Sequence, residues 1–471
     1  MTRTLTGRRI RRGRIPSLFT RAALIAVVVP ALTVTACSSS DNATPTSGTS
    51  SSTTPPNVFE ATRIDGVNRL LANLNAAIRS GDETKLDALF DASASPQFRA
   101  ALKTEAADVG ARSAPSKRGN VLRYKTFNYR LGSANAEFVV PATVQARLDD
   151  QGSSDSWFAP IKLDYALGGE SAPGLAEPNV VVDTPFALAR YDDDWKIVGD
   201  STVLQDVQAP APQLWNYPGL QGRNVPTPGG TSVVVSYPGT EAFVGTIAAE
   251  LPQAIVAVTN FWGSAWARRA AVVATGTTDE FSGLTASNAQ VGAAAAATVY
   301  ATLDNASKSA TGQRVVLTPN ARALPAPALA VVLRHELTHV AVRGVTVPGA
   351  PLWITEGVPE YVGRKGTYQR FEDAAPNLAA ELRAGETPVR LPDDRDFAVD
   401  QQTALVAYQS AWSLAAFVAE KFGQDRLKSL YIGVAGADKT AAQDSAIVAT
   451  LQLSRAQFVA QWQDWLRKQV R

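Results

Sequence analysis

The 471-residue chain contains two histidines, and they stand four residues apart with a glutamate directly after the first: Val332-Leu333-Arg334-His335-Glu336-Leu337-Thr338-His339-Val340. At the helical repeat both rings leave one face of a helix, one above the other. Two imidazoles so placed bind one Zn²⁺ at about 2.0–2.1 Å each. Glu336 lies beside them, placed to take a proton from water rather than to bind metal. Leu333, Leu337 and Val340 supply the apolar contacts that anchor such a helix. The bare pattern occurs by accident in many proteins. Here it uses every histidine the chain has, which sets it against the bland alternative of a buried core pair.

A catalytic zinc site needs a third protein ligand and an open position. Downstream stands Trp353-Ile354-Thr355-Glu356-Gly357-Val358-Pro359-Glu360-Tyr361. Together with the paired histidines this resembles the gluzincin zinc metallopeptidases, and within them the peptidase-MA-like proteins, whose second helix reads W-x-x-E-G-x-A-E-Y. The resemblance covers residues 231–471 and is strongest at the zinc motif. It implies a His335/His339/Glu356 ligand set for one zinc ion, with Glu336 as general base in hydrolysis of a peptide bond. Glu360, one turn beyond Glu356, is implied as acceptor for the distal nitrogen of a ligating histidine, against the plainer reading of a solvated acid. Pro359 departs from the family's alanine, and a proline past the first turn kinks a helix; the expectation is a kink between Glu356 and Glu360. Ala407-Tyr408-Gln409-Ser410-Ala411 resembles a later family segment that opens a helix. By that resemblance Tyr408 points at the reacting carbonyl oxygen, its alternative being an ordinary packing tyrosine. The peptide would lie along an exposed strand edge, Val299–Tyr300 or a neighbour. The sole methionine is at position 1, which excludes a Met-turn and the metzincin branch.

The elements that must position these residues occupy the rest of the chain. Residues 1–36 carry seven arginines and no acid, then an apolar stretch, Ala22 to Val34, too short for a comfortable membrane span but suited to a signal peptide. It ends Val34-Thr35-Ala36-Cys37, which resembles a bacterial lipobox; the only cysteine of the chain is Cys37, the residue that would be lipidated. Residues 37–57 read as a disordered tether. Without the first 36 residues, 38 basic and 43 acidic groups remain, a net of −5, which argues against a nucleic-acid partner. A single cysteine excludes a disulfide framework or a Cys-rich zinc site.

Residues 58–205 begin with helical spacing at Ile64, Val67, Leu70, Leu71, Leu74 and Ile78. A second short helix follows, opened by the capping spacing Ser80 to Glu83. Strands are expected at Val121–Arg130, Ala136–Leu148, Ile161–Leu167, Pro185–Tyr191 and Trp195–Val198. The stretch Ala77-Ile78-Arg79-Ser80-Gly81-Asp82, with the closing Trp195-Lys196-Ile197-Val198, resembles the SnoaL-like/nuclear-transport-factor-like cones, which implies a helix-plus-curved-antiparallel-sheet architecture. Asp192-Asp193-Asp194 reads as a solvated hairpin turn. Residues 206–230 are rich in proline and glycine and read as a linker. From 231 onward strands at Ser232–Ser236, Ala270–Ala274 and Arg314–Leu317 surround a helix at Phe243–Phe261 with Pro252 inside it, and helices dominate after Ala326. The fold class is α+β in two units, the second a zincin-like domain with a small sheet and a helical lobe. The function these residues imply is a lipid-anchored zinc peptidase on the extracytoplasmic face of the cell membrane, with a peptide or protein substrate. The alternatives are a zinc-binding but inactive envelope lipoprotein serving as a scaffold, and a zinc hydrolase of non-peptide substrates.

Overall fold

The computed structural model describes residues 58–110, 122–133, 139–168, 175, 177–204, 211–286, 295–304, 306–398 and 401–470. The signal-peptide segment, Cys37 and the tether lie outside the described residues. The fold is α+β.

The chain enters α1 (Val58–Ser80), whose Val67, Leu70, Leu71, Leu74 and Ile78 are buried along one face, the spacing read from the sequence. The short α2 (Glu83–Asp87) is capped by Asp82, not by Ser80: the Asp82 carboxylate accepts from the Lys85 amide at 3.1 Å. α3 (Pro96–Val109) starts on a Ser95 cap and has no counterpart in the sequence reading. Next come β1 (Tyr124–Leu131), α4 (Ala142–Asp150), β2 (Asp155–Ala159), β3 (Ile161–Leu167), β4 (Val180–Asp183), β5 (Phe186–Tyr191) and β6 (Asp194–Gly199). They form two antiparallel three-stranded sheets, β1-β3-β4 and β2-β5-β6. Only Pro160 separates β2 from β3, so one run of chain passes from one sheet to the other. The strand expected at Ala136–Leu148 is corrected: 142–150 is helical. Pro141 precedes the first turn, and Val144 and Leu148, four apart, bury one stripe against Phe158, Ala187 and Val198.

The second unit is built on a five-stranded sheet. Its elements are β7 (Gln221–Thr227), β8 (Gly230–Ser236), α5 (Glu241–Trp262), β9 (Ala271–Ala274), α6 (Thr278–Thr285) and β10 (Ala296–Val299). A small hairpin follows, β11 (Thr302–Asp304) and β12 (Ser309–Thr311), and then β13 (Arg314–Leu317). The order is β10-β13-β9-β8-β7, with β13, β9 and β8 parallel and the two outer strands antiparallel to their neighbours. After it run α7 (Ala326–Val342), α8 (Leu352–Thr355), α9 (Gly357–Arg364), α10 (Phe371–Ala374), α11 (Pro376–Arg383), α12 (Gln401–Phe422), α13 (Gln424–Ala435), α14 (Thr440–Leu451) and α15 (Arg455–Gln469). α12 begins seven residues before Tyr408, so that tyrosine lies inside the helix rather than at its opening.

The sheet is buried on both faces. Val234, Val272 and Val315 meet α5, α7 and the helical lobe; their neighbours Val233, Val273 and Val316 meet the N-terminal layer. Each buried valine contributes on the order of 1.5 kcal/mol or more. The Pro/Gly-rich stretch is therefore not a free spacer throughout. Its 221–227 segment is the outer strand β7, and Trp215 is buried among the rings of Tyr124, Phe127 and Tyr165 at centroid distances of 5.9, 4.9 and 4.8 Å. Composition marks a break in periodicity, but burial of Trp215 and pairing of β7 outweigh it.

Candidate metal centre

α7 starts where the sequence supplies prolines, with Pro325 just before the helix and Pro327 in its first turn. Leu329, Val332, Leu333 and Leu337 carry it into the core against α5 and the sheet. On another face His335 and His339 are both buried, their Nε2 atoms 3.0 Å apart. Glu356 reaches the same point from the joint between α8 and α9, its Oε2 lying 3.3 Å from His335 Nε2 and 3.7 Å from His339 Nε2.

The joint has a physical cause. A continuous helix would have the amide of residue 359 donate to the Thr355 carbonyl, and Pro359 has no N–H. The helix divides there, so Pro359 falls in the first turn of α9, where proline is tolerated. The break thus lies at Glu356 itself rather than between Glu356 and Glu360; the Glu360 amide still donates to the Glu356 carbonyl at 2.9 Å. Two glycines let the helices close on the site. A Cβ on Gly357 would stand 2.4 Å from the Ala411 carbonyl oxygen of α12, and one on Gly363 2.9 Å from the Val331 oxygen of α7.

The donor set fits a divalent ion. At bond lengths of about 2.0–2.1 Å, tetrahedral ligand atoms lie about 3.3 Å from one another, and the three separations here, 3.0, 3.3 and 3.7 Å, bracket that value. Neither oxygen of the buried Glu356 carboxylate accepts a hydrogen bond. Burial pushes Glu356 up to about 7 and His339 down to about 4, so among protein atoms alone the charged forms are poorly supported. Two nitrogens and an oxygen suit zinc.

Glu336 projects next to the cluster, 1% exposed. Burial raises it to about 7, opposed by His339 and by the Thr298 hydroxyl of β10, which donates to Glu336 Oε2 at 2.6 Å. Its Oε1 has no partner. Glu360 Oε1 stands 3.6 Å from His335 Nδ1, a charge contact longer than a hydrogen bond, while its Oε2 pairs with Arg364, which also donates to the Ala374 carbonyl. Tyr408 is 5% exposed, with its ring edge-on to Phe397 at 5.0 Å. Burial pushes its phenol well above the usual range, and the charges of Glu356, Glu360 and Glu336 add to that. The structure therefore brings His335, Glu336, His339, Glu356, Glu360 and Tyr408 into one region.

Three members were missed in the sequence. Thr298 gave no signal, because a threonine on a strand says nothing about a glutamate 38 positions away. Arg364 follows Glu360 by four residues, the spacing of a helical ion pair. Arg343 follows His339 by four, extending the stripe of His335 and His339 past the end of α7, and that spacing was legible. β10, whose neighbourhood was expected to offer an exposed edge, is the outermost strand of its sheet, but Ala296, Ala297 and Thr298 are buried; Val299 and Tyr300 are half-buried.

No protein-family model matches the chain, and no curated protein matches it. Among solved structures it is similar to a mutant M1 zinc metallopeptidase from Deinococcus radiodurans, at 14% identity and a TM-score of 0.34, over 58% of this chain and 58% of that one. A second structure, of that mutant enzyme bound to a Tyr-Ser-Ala substrate, matches at 14% identity and a TM-score of 0.34, over 64% of this chain and 60% of that one. The chain thus spans about 60% of the length of these structures.

Proposed function

We propose that this chain is a zinc-dependent peptidase in which His335, His339 and Glu356 hold one zinc ion. The observation that carries the reading is the meeting of three buried donors at tetrahedral spacing, one of them a carboxylate with no hydrogen bond of its own. When bound, zinc supplies Lewis acidity toward a carbonyl oxygen and toward water. The chain's own residues do the remainder. Glu336, held by Thr298 on one oxygen, keeps Oε1 free to take a proton and return it to the leaving amine. The Tyr408 phenol stays protonated and is a donor for the developing oxyanion. Glu360 steadies the His335 ring and is itself held by Arg364. Placement at the extracytoplasmic face through lipidated Cys37 is part of this reading and rests on the sequence alone.

Metal analysis of the purified chain, followed by hydrolysis of a mixed peptide library, tests it. One equivalent of zinc and cleavage that stops in Glu336→Gln are the expected results. A chain with no zinc after reconstitution overturns the reading. Zinc without cleavage of amides or esters favours the inactive scaffold; ester cleavage alone favours a non-peptide hydrolase.

A further inference from the structure

Among the described residues three arginines are buried, Arg314, Arg343 and Arg364, and two of them are ion-paired. Arg314 grips Glu177 with two nitrogens; Arg364 pairs with Glu360 and donates to a carbonyl. Arg343 is the exception. It is 9% exposed, its Nε is buried without a partner, and among the described residues no carboxylate lies within ion-pair distance of its guanidinium. What it has is the face of Tyr300, with the guanidinium carbon 4.6 Å from the ring centroid. That contact favours the cation but leaves the edge of the fork, where carboxylates bind, unfilled.

Its place is equally specific. Arg343 lies one helical turn beyond His339, and Tyr300 is two residues beyond Thr298, the residue that holds Glu336. Across those two strand-like residues the chain advances roughly 6.6 Å. The cation thus stacks on the residue two positions from the one that holds the base. The β11–β12 hairpin packs on the turn that carries it: a Cβ on Gly344 would meet the Lys308 carbonyl oxygen at 2.0 Å, so the turn at 343–345 fits against the hairpin only without a side chain at 344. Formal charge points the same way. The carboxylates of Glu336, Glu356 and Glu360 are balanced by Arg364 together with a divalent ion, and Arg343 is then the surplus positive charge.

We propose that Arg343 is a specificity-determining residue that receives one carboxylate of the substrate, either the chain-terminal group or an acidic side chain, within one or two residues of the bond that is cut. This deepens the zinc-peptidase reading and rests on it. The arrangement is a stacked, desolvated guanidinium whose fork is completed by the ligand rather than by the protein.

The test is calorimetric binding to the full chain in the Glu336→Gln background, so that probes survive. Three acetylated alanine-based tripeptides are compared: one with a free C-terminal carboxylate, one capped as the amide, and one amide with a single internal glutamate. At least one carboxylate-bearing peptide binds 10-fold or more tightly than the capped alanine peptide, and which one does so distinguishes a terminal from a side-chain source. Arg343→Gln erases that preference, and Arg343→Lys keeps part of it. Equal binding of all three by the Arg343-containing protein overturns the inference, whatever the variants do, and so does a preference that survives Arg343→Gln. Zinc content is measured on the same samples, so loss of metal is read as failure of the zinc assignment and unchanged metal with no preference as failure of this one.

Discussion

Two buried polar clusters lie on opposite sides of the five-stranded sheet, and Glu177 and Glu105 in one are treated unlike Glu336 and Glu356 in the other. On the N-terminal side, Glu177 offers both oxygens to Arg314 and one also to the Leu167 amide; the Glu105 carboxylate nearby accepts from the Tyr129 hydroxyl at 2.7 Å. On the helical side, Glu336 Oε1, both oxygens of Glu356 and Arg343 Nε have no hydrogen-bond partner. Each buried orphan costs about 1–3 kcal/mol. A chain that satisfies Glu177 and Glu105 so fully does not lack the means to satisfy the rest. The first cluster joins the N-terminal layer to the sheet and belongs to stability. The second contains the three donors that could hold a metal ion.

The comparison is broken most directly at Glu336. Glu336→Gln keeps the shape and the Thr298 contact, retains zinc by elemental analysis, and lowers turnover about 10²–10⁴-fold, the usual worth of a general base. Turnover within a few-fold of the unaltered protein would place the base elsewhere. His339→Ala, by contrast, loses the metal itself.

The junction cluster responds in stability instead. Glu177→Ala leaves Arg314 buried and unpaired and costs about 3–5 kcal/mol in urea unfolding, while the fraction that remains folded keeps its zinc. Glu356→Gln in metal-free protein removes no satisfied bond and changes stability by less than about 1 kcal/mol. If the two substitutions cost the same, the distinction between the clusters fails.

How much of this was legible in the sequence follows the range of the interactions. His335, Glu336 and His339 share one helical turn, so the 3.6-residue repeat alone sets them side by side. Glu356 and Glu360 were reached by their spacing to Trp353 and by family resemblance. The α+β class, α1 and the parallel strands were also legible, since valine-rich runs buried on both faces read as strands. Long-range arrangements were not. Nothing local says that Trp215, inside a Pro/Gly-rich stretch, completes the core between two units, or that 142–150 winds as a helix among strands. Pro359 implies a kink between Glu356 and Glu360 only if one helix runs through Glu356, and no local signal fixes that helix start; the break at Glu356 turns it into a first-turn residue.

Glu105 gives a pH-dependent version of the contrast. Burial lifts its carboxyl from 4.5 to about 8, against the hydrogen bonds from Tyr129 and Trp215. The folded state therefore holds a proton that the unfolded chain releases near pH 4.5. Stability falls as pH rises from there to about 8, by up to about 1.4 kcal/mol per pH unit, and is level above it. Glu105→Gln mimics the protonated form and removes that slope from unfolding curves collected between pH 5 and 8. An unchanged slope would mean that another group carries it.

The smallest effect expected belongs to Glu360, where the two designs meet: it is the one acid of the candidate metal centre that pairs with an arginine, Arg364, and it faces His335 rather than joining the three donors. Glu360→Gln keeps a hydrogen-bond acceptor for Arg364 but removes the charge that faces both Arg364 and His335 Nδ1. Zinc affinity, measured by competition with a chelator, then drops about 10–100-fold, the range for residues that orient a ligating histidine, beyond the loss of stability from leaving the buried Arg364 charge unpaired. Were Glu360 a mere helix-stabilising acid, affinity would stay and stability would fall, so the ratio of the two changes identifies which cluster it serves.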